Sequence, residues 1–223
     1  MTSTAIQNGN DNLGGTSNSN SSFGSTFINQ IGNSNLGGSS QLDSTQSHSF
    51  SQQIGNDNLV GGVQAISSSN VIGSAAQIGD QNIIGGMGHF SSSNGTVEVT
   101  QIGIANDAVA FQIMSDSGML TLFQTGQQNI ATASQTGLSN TLLGTQEGMQ
   151  NLLSTIQDGD LISADTNQSG MLNEIDLNQA GMSSMAALTQ IGNNNLLQAM
   201  QTNLSASATV TQLGDNNTGN IMQ

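Results

Sequence analysis

Apolar residues alternate with polar residues in short runs along this chain, and the runs recur at a regular spacing. Near residue 100, one run places Val97, Val99 and Gln101 on one face, and the next places Ala108 and Ala110 on one face. Alternation with a period of two is typical of β-strands that bury one side. Each unit of 22–24 residues, which we call a rung, therefore predicts two short strands separated by turns.

A polar motif, Gln-x-Gly-x-x-Asn, recurs in register with these runs. Its glutamines are Gln7, Gln30, Gln53, Gln77, Gln101, Gln124, Gln146, Gln168, Gln190 and Gln212. Its turn glycines, two residues later, are Gly9, Gly32, Gly55, Gly79, Gly103, Gly126, Gly148, Gly170, Gly192 and Gly214. Its asparagines, five residues after the glutamine, are Asn12, Asn35, Asn58, Asn82, Asn106, Asn129, Asn151, Asn173, Asn195 and Asn217. A repeat of this length indicates one small structural unit stacked many times.

A second glutamine follows eleven residues after the first in most rungs. These second glutamines are Gln41, Gln64, Gln112, Gln135, Gln157, Gln179, Gln201 and Gln223, whereas Asn18 and Gly88 occupy the position in the other two rungs. We expect both glutamines and the asparagine to point inward, where their amides can hydrogen-bond to the same residues in the rungs above and below.

These patterns predict an all-β fold. It is a β-solenoid with two short strands per rung, about ten rungs and cross-β stacking. The whole chain, residues 1–223, forms one array. Residues 1–94 should form looser Ser- and Gly-rich rungs, with Met1–Asn20 fraying most, and residues 95–223 should form more regular rungs.

The composition excludes several classes of function. The chain has no Lys or Arg and a formal net charge of −14, so it cannot neutralise nucleic-acid phosphates and would be repelled by an anionic membrane. No apolar run is long enough to span a bilayer. The first residues lack the pattern of a signal peptide, so export is expected after removal of a leader or by another route.

The repeat resembles the curlin repeat over essentially the whole chain, from Gln7 to Gln223. The resemblance lies in Gln-x-Gly-x-x-Asn, the second Gln, and apolar residues four and two before and seven and nine after the first Gln. It implies a subunit of curli, the extracellular amyloid of bacterial biofilms. The implied partners are further copies of the chain, a nucleator and export machinery, and the implied location is a fibre at the cell surface that serves as biofilm matrix and in adhesion.

The residues also predict polymerisation without the resemblance. A solenoid exposes an unpaired strand edge at each end, and the last rung runs to the second-glutamine position Gln223, so we expect no cap and a head-to-tail fibre. The acidic residues either slow association, which low pH or high salt would then accelerate, or only solvate the turns. The alternatives are a monomeric solenoid that binds ice or glycans, and a disordered spacer.

Apolar residues also recur at positions predicted to face outward. They directly follow the first Gln or the Asn of the motif, as in Ile54, Ile78 and Leu36, and four phenylalanines join them: Phe27, Phe50, Phe111 and Phe123. They could pair fibres laterally or bind apolar surfaces, or they could cover the turn backbone, and a one-residue slip in the alternation would reverse their direction.

We expect no enzyme, no metal and no cofactor. His48 and His89 both lie in Ser-rich segments without residues to orient a catalytic pair. Asp158-Gly159-Asp160 resembles the start of a calcium loop but lacks the later ligands.

Overall fold

The computed structural model describes residues 2–223, and these residues form twenty β-strands in two parallel sheets. Odd-numbered strands form one ten-stranded sheet, the odd sheet, and even-numbered strands form the other, the even sheet. The strands are β1 (Thr2–Asn8), β2 (Leu13–Ser19), β3 (Ser25–Ile31), β4 (Leu36–Leu42), β5 (His48–Ile54), β6 (Leu59–Ile66), β7 (Ile72–Asp80), β8 (Ile83–Phe90), β9 (Thr96–Ile104), β10 (Asp107–Asp116), β11 (Met119–Gln127), β12 (Ile130–Leu138), β13 (Thr141–Met149), β14 (Leu152–Asp160), β15 (Ser163–Met171), β16 (Glu174–Met182), β17 (Met185–Asn193), β18 (Leu196–Gln201), β19 (Ser207–Leu213) and β20 (Thr218–Met222). The predicted β-solenoid of about ten rungs with two strands each is confirmed.

Neighbouring rungs are stacked in register. In the odd sheet each first glutamine pairs with the first glutamine of the next rung, as Gln101 does with Gln124. The turn glycine between the two strands of a rung has a positive φ, from 98° to 127° over the ten rungs. A side chain at Gly103 would also collide with the backbone carbonyl of Gly126 in the next rung. Only glycine allows both the turn and the close stacking.

A narrow apolar core runs between the sheets along the axis. In rungs five and six the residues predicted to point inward are all buried, with Val97 and Val99 opposite Ala108 and Ala110, and Leu120 and Leu122 opposite Ala131 and Ala133. In rung eight the sizes are reversed, because Ala164 and Thr166 lie opposite Ile175 and Leu177. Large residues on one sheet therefore compensate small residues on the other, which keeps the core filled.

The apolar residues predicted to face outward, which we call the outward stripe, also have the predicted direction. Ile31, Ile78 and Leu36 are each at least 40 % exposed, so the alternation does not slip by one residue near the turn. Phe27 and Phe50 lie on the outer face of the odd sheet and stack with ring centroids 5.1 Å apart.

The even sheet departs from the expected spacing in rungs three and four. The register shifts between Gly37 and Ser39 on β4 as they pair with β6, and again between Ala108 and Val109 on β10 as they pair with β8. Glycines occupy both irregular stretches of β6 and β8, Gly61-Gly62 and Gly85-Gly86. An extra residue in each of these 24-residue rungs is accommodated as a bulge rather than in a turn.

The bulge makes one predicted residue position wrong. Gln64 was expected to point inward at the second-glutamine position, but Ala65 pairs with Gln41 there and Gln64 is only half-buried. In rung four the extra residue moves His89, rather than Gly88, into the same position beside Gln112.

Met1 lies outside the described residues, and within residues 2–223 no helix has the length and apolar character needed to cross a membrane.

Candidate functional site

The first glutamines form an unbroken column of hydrogen bonds through the odd sheet. From Gln7 to Gln212, the side-chain Nε2 of each glutamine donates to Oε1 of the glutamine in the next rung, over 2.7 to 3.1 Å. From Gln30 onward each Nε2 also donates to the backbone carbonyl of the first residue in the second strand of the preceding rung, such as Gln146 to Ile130 at 2.9 Å. From Gln30 to Gln190 these side chains are fully or almost fully buried. Every amide is satisfied by its neighbours, so burial does not leave orphaned polar groups.

The asparagines form a second column with the opposite direction of donation. Each Asn Nδ2 donates to Oδ1 of the asparagine in the preceding rung, over 2.9 to 3.2 Å. Asn173 is the exception, because its backbone N–H donates to Asn151 Oδ1 instead. Each Nδ2 up to that of Asn195 also reaches the turn-glycine carbonyl of the following rung, as Asn106 does to Gly126 at 3.1 Å. One asparagine therefore ties together three rungs.

The second glutamines form a continuous column only in the later rungs. From Gln112 through Gln135, Gln157, Gln179 and Gln201 to Gln223, each Nε2 donates to the next Oε1 over 2.7 to 3.1 Å. In the earlier rungs Asn18, Gln41, Ala65 and His89 occupy the column. Gln41 Nε2 bonds only to the backbone carbonyls of Ser25 and Ser47, and the buried oxygens Asn18 Oδ1 and Gln41 Oε1 have no partner.

His89 interrupts the column with a ring that lacks one hydrogen bond. Its Nε2 lies 2.9 Å from the Ile72 carbonyl, and because a carbonyl only accepts, Nε2 carries the proton. Nδ1 of the neutral ring is then an acceptor beside Gln112 Oε1, and neither atom has a partner. Burial lowers the pKa of His89, and the hydrogen bond to the Ile72 carbonyl opposes that shift only in part. The ring is therefore held neutral in the folded chain.

Sequence reasoning missed the polar groups of the second turn. Gln135-Thr136-Gly137-Leu138-Ser139-Asn140 repeats the Gln-x-Gly-x-x-Asn motif half a rung out of phase, and Asn140 Nδ2 donates to the Gly159 carbonyl at 2.7 Å. Because this second copy of the motif is visible in the sequence, Asn140 could have been predicted as a turn residue of the same kind. In earlier rungs serines replace this asparagine, as when Ser44 Oγ donates to the Ala65 carbonyl at 2.8 Å.

The two histidines stand in different surroundings. His48 Nδ1 lies 2.7 Å from Ser25 Oγ on the exposed face of the odd sheet, and the hydrogen bonds of the ring include no acidic partner that would orient it. Within residues 2–223 no three His, Cys, Asp or Glu residues cluster as metal ligands would. The absence of enzymatic function and of a cofactor stays a prediction.

The acidic residues are distributed unevenly along the axis. In the first four rungs the acids are Asp11, Asp43, Asp57 and Asp80, in turns or at a strand end, whereas rungs five, seven and eight place carboxylates on the outer strand faces, including Glu98, Glu147, Asp165, Glu174 and Asp176. Burial raises the pKa of Asp107, which lies between Ile83 and Ile130 on the even sheet. Hydrogen bonds from Ser93 and Asn94 lower the pKa of Asp116.

No protein-family model matches this chain, and the comparison with curated proteins finds no similar protein. Its function therefore has to be argued from the geometry of the columns and of the solenoid ends.

Proposed function

We propose that this chain is the structural subunit of an extracellular, curli-like functional amyloid fibre, which grows head-to-tail through the ends of the solenoid. The observation that carries the proposal is the directed pattern of the glutamine and asparagine columns. Because every internal step repeats the same bonds, a second chain stacked on either end can continue them.

The two ends of the described array are complementary to each other. Strands β1 and β2 at one end, and β19 and β20 at the other, each have a strand neighbour on one side only. Within residues 2–223 no donor reaches Gln7 Oε1, and Gln212 Nε2 uses one hydrogen for the Leu196 carbonyl and directs none to a further glutamine. A copy placed beyond β19 can therefore accept from Gln212 through its own Gln7.

The asparagine column matches in the same joint. Asn217 Oδ1 receives no bond from a following rung, and Asn12 Nδ2 makes only a long contact of 3.5 Å to Asn8 besides its bond to Gly32. Asn12 of the added copy can donate to Asn217 of the first. Donors and acceptors agree only if both copies point the same way, so the joint is heterologous and does not close.

The functional context of the fibre follows from the resemblance to the curlin repeat. Biofilm matrix and adhesion are the roles that such fibres perform, with a nucleator and export machinery as the expected partners. The lack of Lys and Arg agrees with a fibre that binds neither nucleic acid nor anionic lipid.

The test begins by diluting denatured, purified chain into buffer and following light scattering, then recording fibre diffraction. Growing fibres with reflections near about 4.7–4.8 Å and about 10 Å are expected. A β-rich chain that stays monomeric would overturn the proposal and favour a solenoid that binds ice or glycans.

Gln212→Glu tests the joint itself. The carboxylate still accepts from Gln190 but cannot donate to Gln7 of the next copy, so elongation from seeds should slow by more than about tenfold, equivalent to about 1.4 kcal/mol. Gln52→Glu on the outer face of the odd sheet adds the same charge away from the joint and serves as the matched control. Equal elongation rates for the two variants would contradict this joint.

A further inference from the structure

The outer face of the even sheet carries a ridge and a groove in its first four rungs. The leucine ridge consists of Leu13, Leu36, Leu59 and Ile83, which pair in register along the axis. Leu13 is 65 % exposed and Leu36 is 44 % exposed. The glycine groove lies two residues further along each strand and consists of Gly15, Gly38, Gly61 and Gly85. A raised apolar column thus lies directly beside a column without side chains.

The fold does not require glycine at the first two positions of the groove. Gly15 and Gly38 do not have a positive φ. A Cβ on Gly15 would meet nothing within 4 Å, and a Cβ on Gly38 would have its nearest neighbour at 3.7 Å, an ordinary contact. Glycine in a strand lowers stability, because it costs conformational entropy and packs no side chain. Neither turn geometry nor internal packing therefore explains why these positions lack side chains.

The acidic residues on this face limit which partner can pack against it. In rungs one to four neither the ridge nor the groove contains an ionisable residue. Further along the axis the same two columns contain acids. Asp107 pairs with Ile83 of the preceding rung, and Glu174 and Asp176 pair with Leu152 and Ser154 of the preceding rung. A partner of the same composition has no cation to offer these acids, so the first four rungs form the longest stretch of the two columns that it can cover without burying a carboxylate.

We propose that a second copy of this chain packs on this face, with the leucine ridge of each copy in the glycine groove of the other. A two-fold axis parallel to the solenoid axis, midway between the two columns, places each ridge over the opposite groove. The same axis keeps both copies pointing in one direction and leaves each rung level with its counterpart. The interface is thus isologous, dry at its centre and free of charge.

The size of the patch explains when this pairing occurs, and here the inference rests on the proposed fibre. Four rungs at about 4.8 Å and two columns about 7 Å apart give a patch of roughly 300 Å² per copy. A stable pair of proteins buries about 800 Å² on each side, so two isolated chains should not pair. In a fibre the patch recurs every ten rungs, about 48 Å, and the repeated contacts add along the filament.

The experiment measures filament width and mass per length by electron microscopy for fibres grown from three proteins. The wild-type chain should give paired filaments. The double variant Gly15→Thr, Gly38→Thr fills the groove with β-branched side chains that the backbone can accommodate, and it should give single filaments with half the mass per length. The control is Ser154→Thr, Gln198→Thr, which adds threonine to the same outer column on either side of Asp176 and should leave the filaments paired.

Three outcomes would overturn the inference. They are single filaments from the wild-type chain, paired filaments from the groove variant, and loss of pairing in the control. Each of these leaves fibre formation intact and so differs from a wild-type chain that forms no fibre at all, which would overturn the proposed function and this pairing together.

Discussion

Replacing one inward glutamine by glutamate provides the sharpest test of the glutamine column. Gln53 is fully buried, accepts from Gln30 at 2.8 Å, and donates to Gln77 Oε1 at 3.0 Å. Its Nε2 also lies 2.9 Å from the carbonyls of Leu36 and Asn58. Glutamate has almost the same shape as glutamine, so Gln53→Glu removes the donor without leaving a cavity.

Two effects determine the size of the loss. At neutral pH the carboxyl group must either be ionised among acceptors, with no cation in the chain to pair with it, or stay protonated. Holding the proton at pH 7 against an unfolded pKa of about 4.3 costs about 4 kcal/mol. A single O–H cannot serve the three acceptors that Nε2 reaches, and each unsatisfied buried group costs about 1–3 kcal/mol. We therefore expect Gln53→Glu to lose about 5–7 kcal/mol at pH 7, since these two costs add.

The pH dependence of this loss has a definite sign. Burial raises the pKa of the introduced carboxyl group in the folded chain, so the folded state binds the proton more tightly than the unfolded state. The destabilisation should grow as pH rises above the unfolded value, and it should shrink to about 1–3 kcal/mol at pH 4, where only the missing donors remain.

The assay is urea unfolding of freshly diluted chain, followed by circular dichroism at pH 7 and pH 4. Gln52→Glu is the control, because Gln52 is the neighbouring residue but points outward, and the same added charge there should change the stability by less than about 0.5 kcal/mol. If the two variants lose equal stability, or if Gln53→Glu shows no dependence on pH relative to Gln52→Glu, the reasoning about the buried column is wrong.

Two further predictions concern titratable groups. Because burial lowers the pKa of His89 below 6.5, the unfolded chain binds more protons there, and stability should fall as pH drops below 6.5. His89→Gln should remove this dependence and gain stability at pH 7.5, since Gln can donate to both Ile72 and Gln112. If the urea midpoint of the variant changed between pH 5 and pH 7.5 as that of the wild-type chain does, this prediction would be wrong. Burial raises the pKa of Asp107, so its folded carboxylate costs stability as pH rises through that pKa. Asp107→Asn should stabilise the chain at pH 7 and not at pH 3, and an equal gain at both pH values would contradict this cause.

Most of the candidate site follows from residues that the sequence displays directly. The spacing of Gln101 and Gln124, with alternating apolar neighbours, is enough to place both in one inward column, because strand alternation leaves only two faces. The same argument correctly predicts that Ile31 and Leu36 face outward. The second-turn motif at Gln135–Asn140 was also readable, since it repeats the spacing already found in the first turn.

The positions of Gln64 and His89 could not be obtained in this way. A rung of 24 residues has one residue more than its neighbours, and the sequence does not show whether a turn or a strand takes up the excess. The backbone hydrogen bonds between β4, β6, β8 and β10 decide this, because they form a bulge at the glycines and so move Ala65 and His89 inward.

The sequence by itself therefore determined the solenoid, its period, its two strands per rung and the faces of most side chains, because each is a matter of local alternation and repeat length. The tertiary structure decided which way the amides donate, which buried atoms of the second-glutamine column are orphaned, and where a ridge lies beside an empty groove. These depend on how neighbouring rungs pair, and pairing between rungs is a contact between residues about 22 positions or more apart.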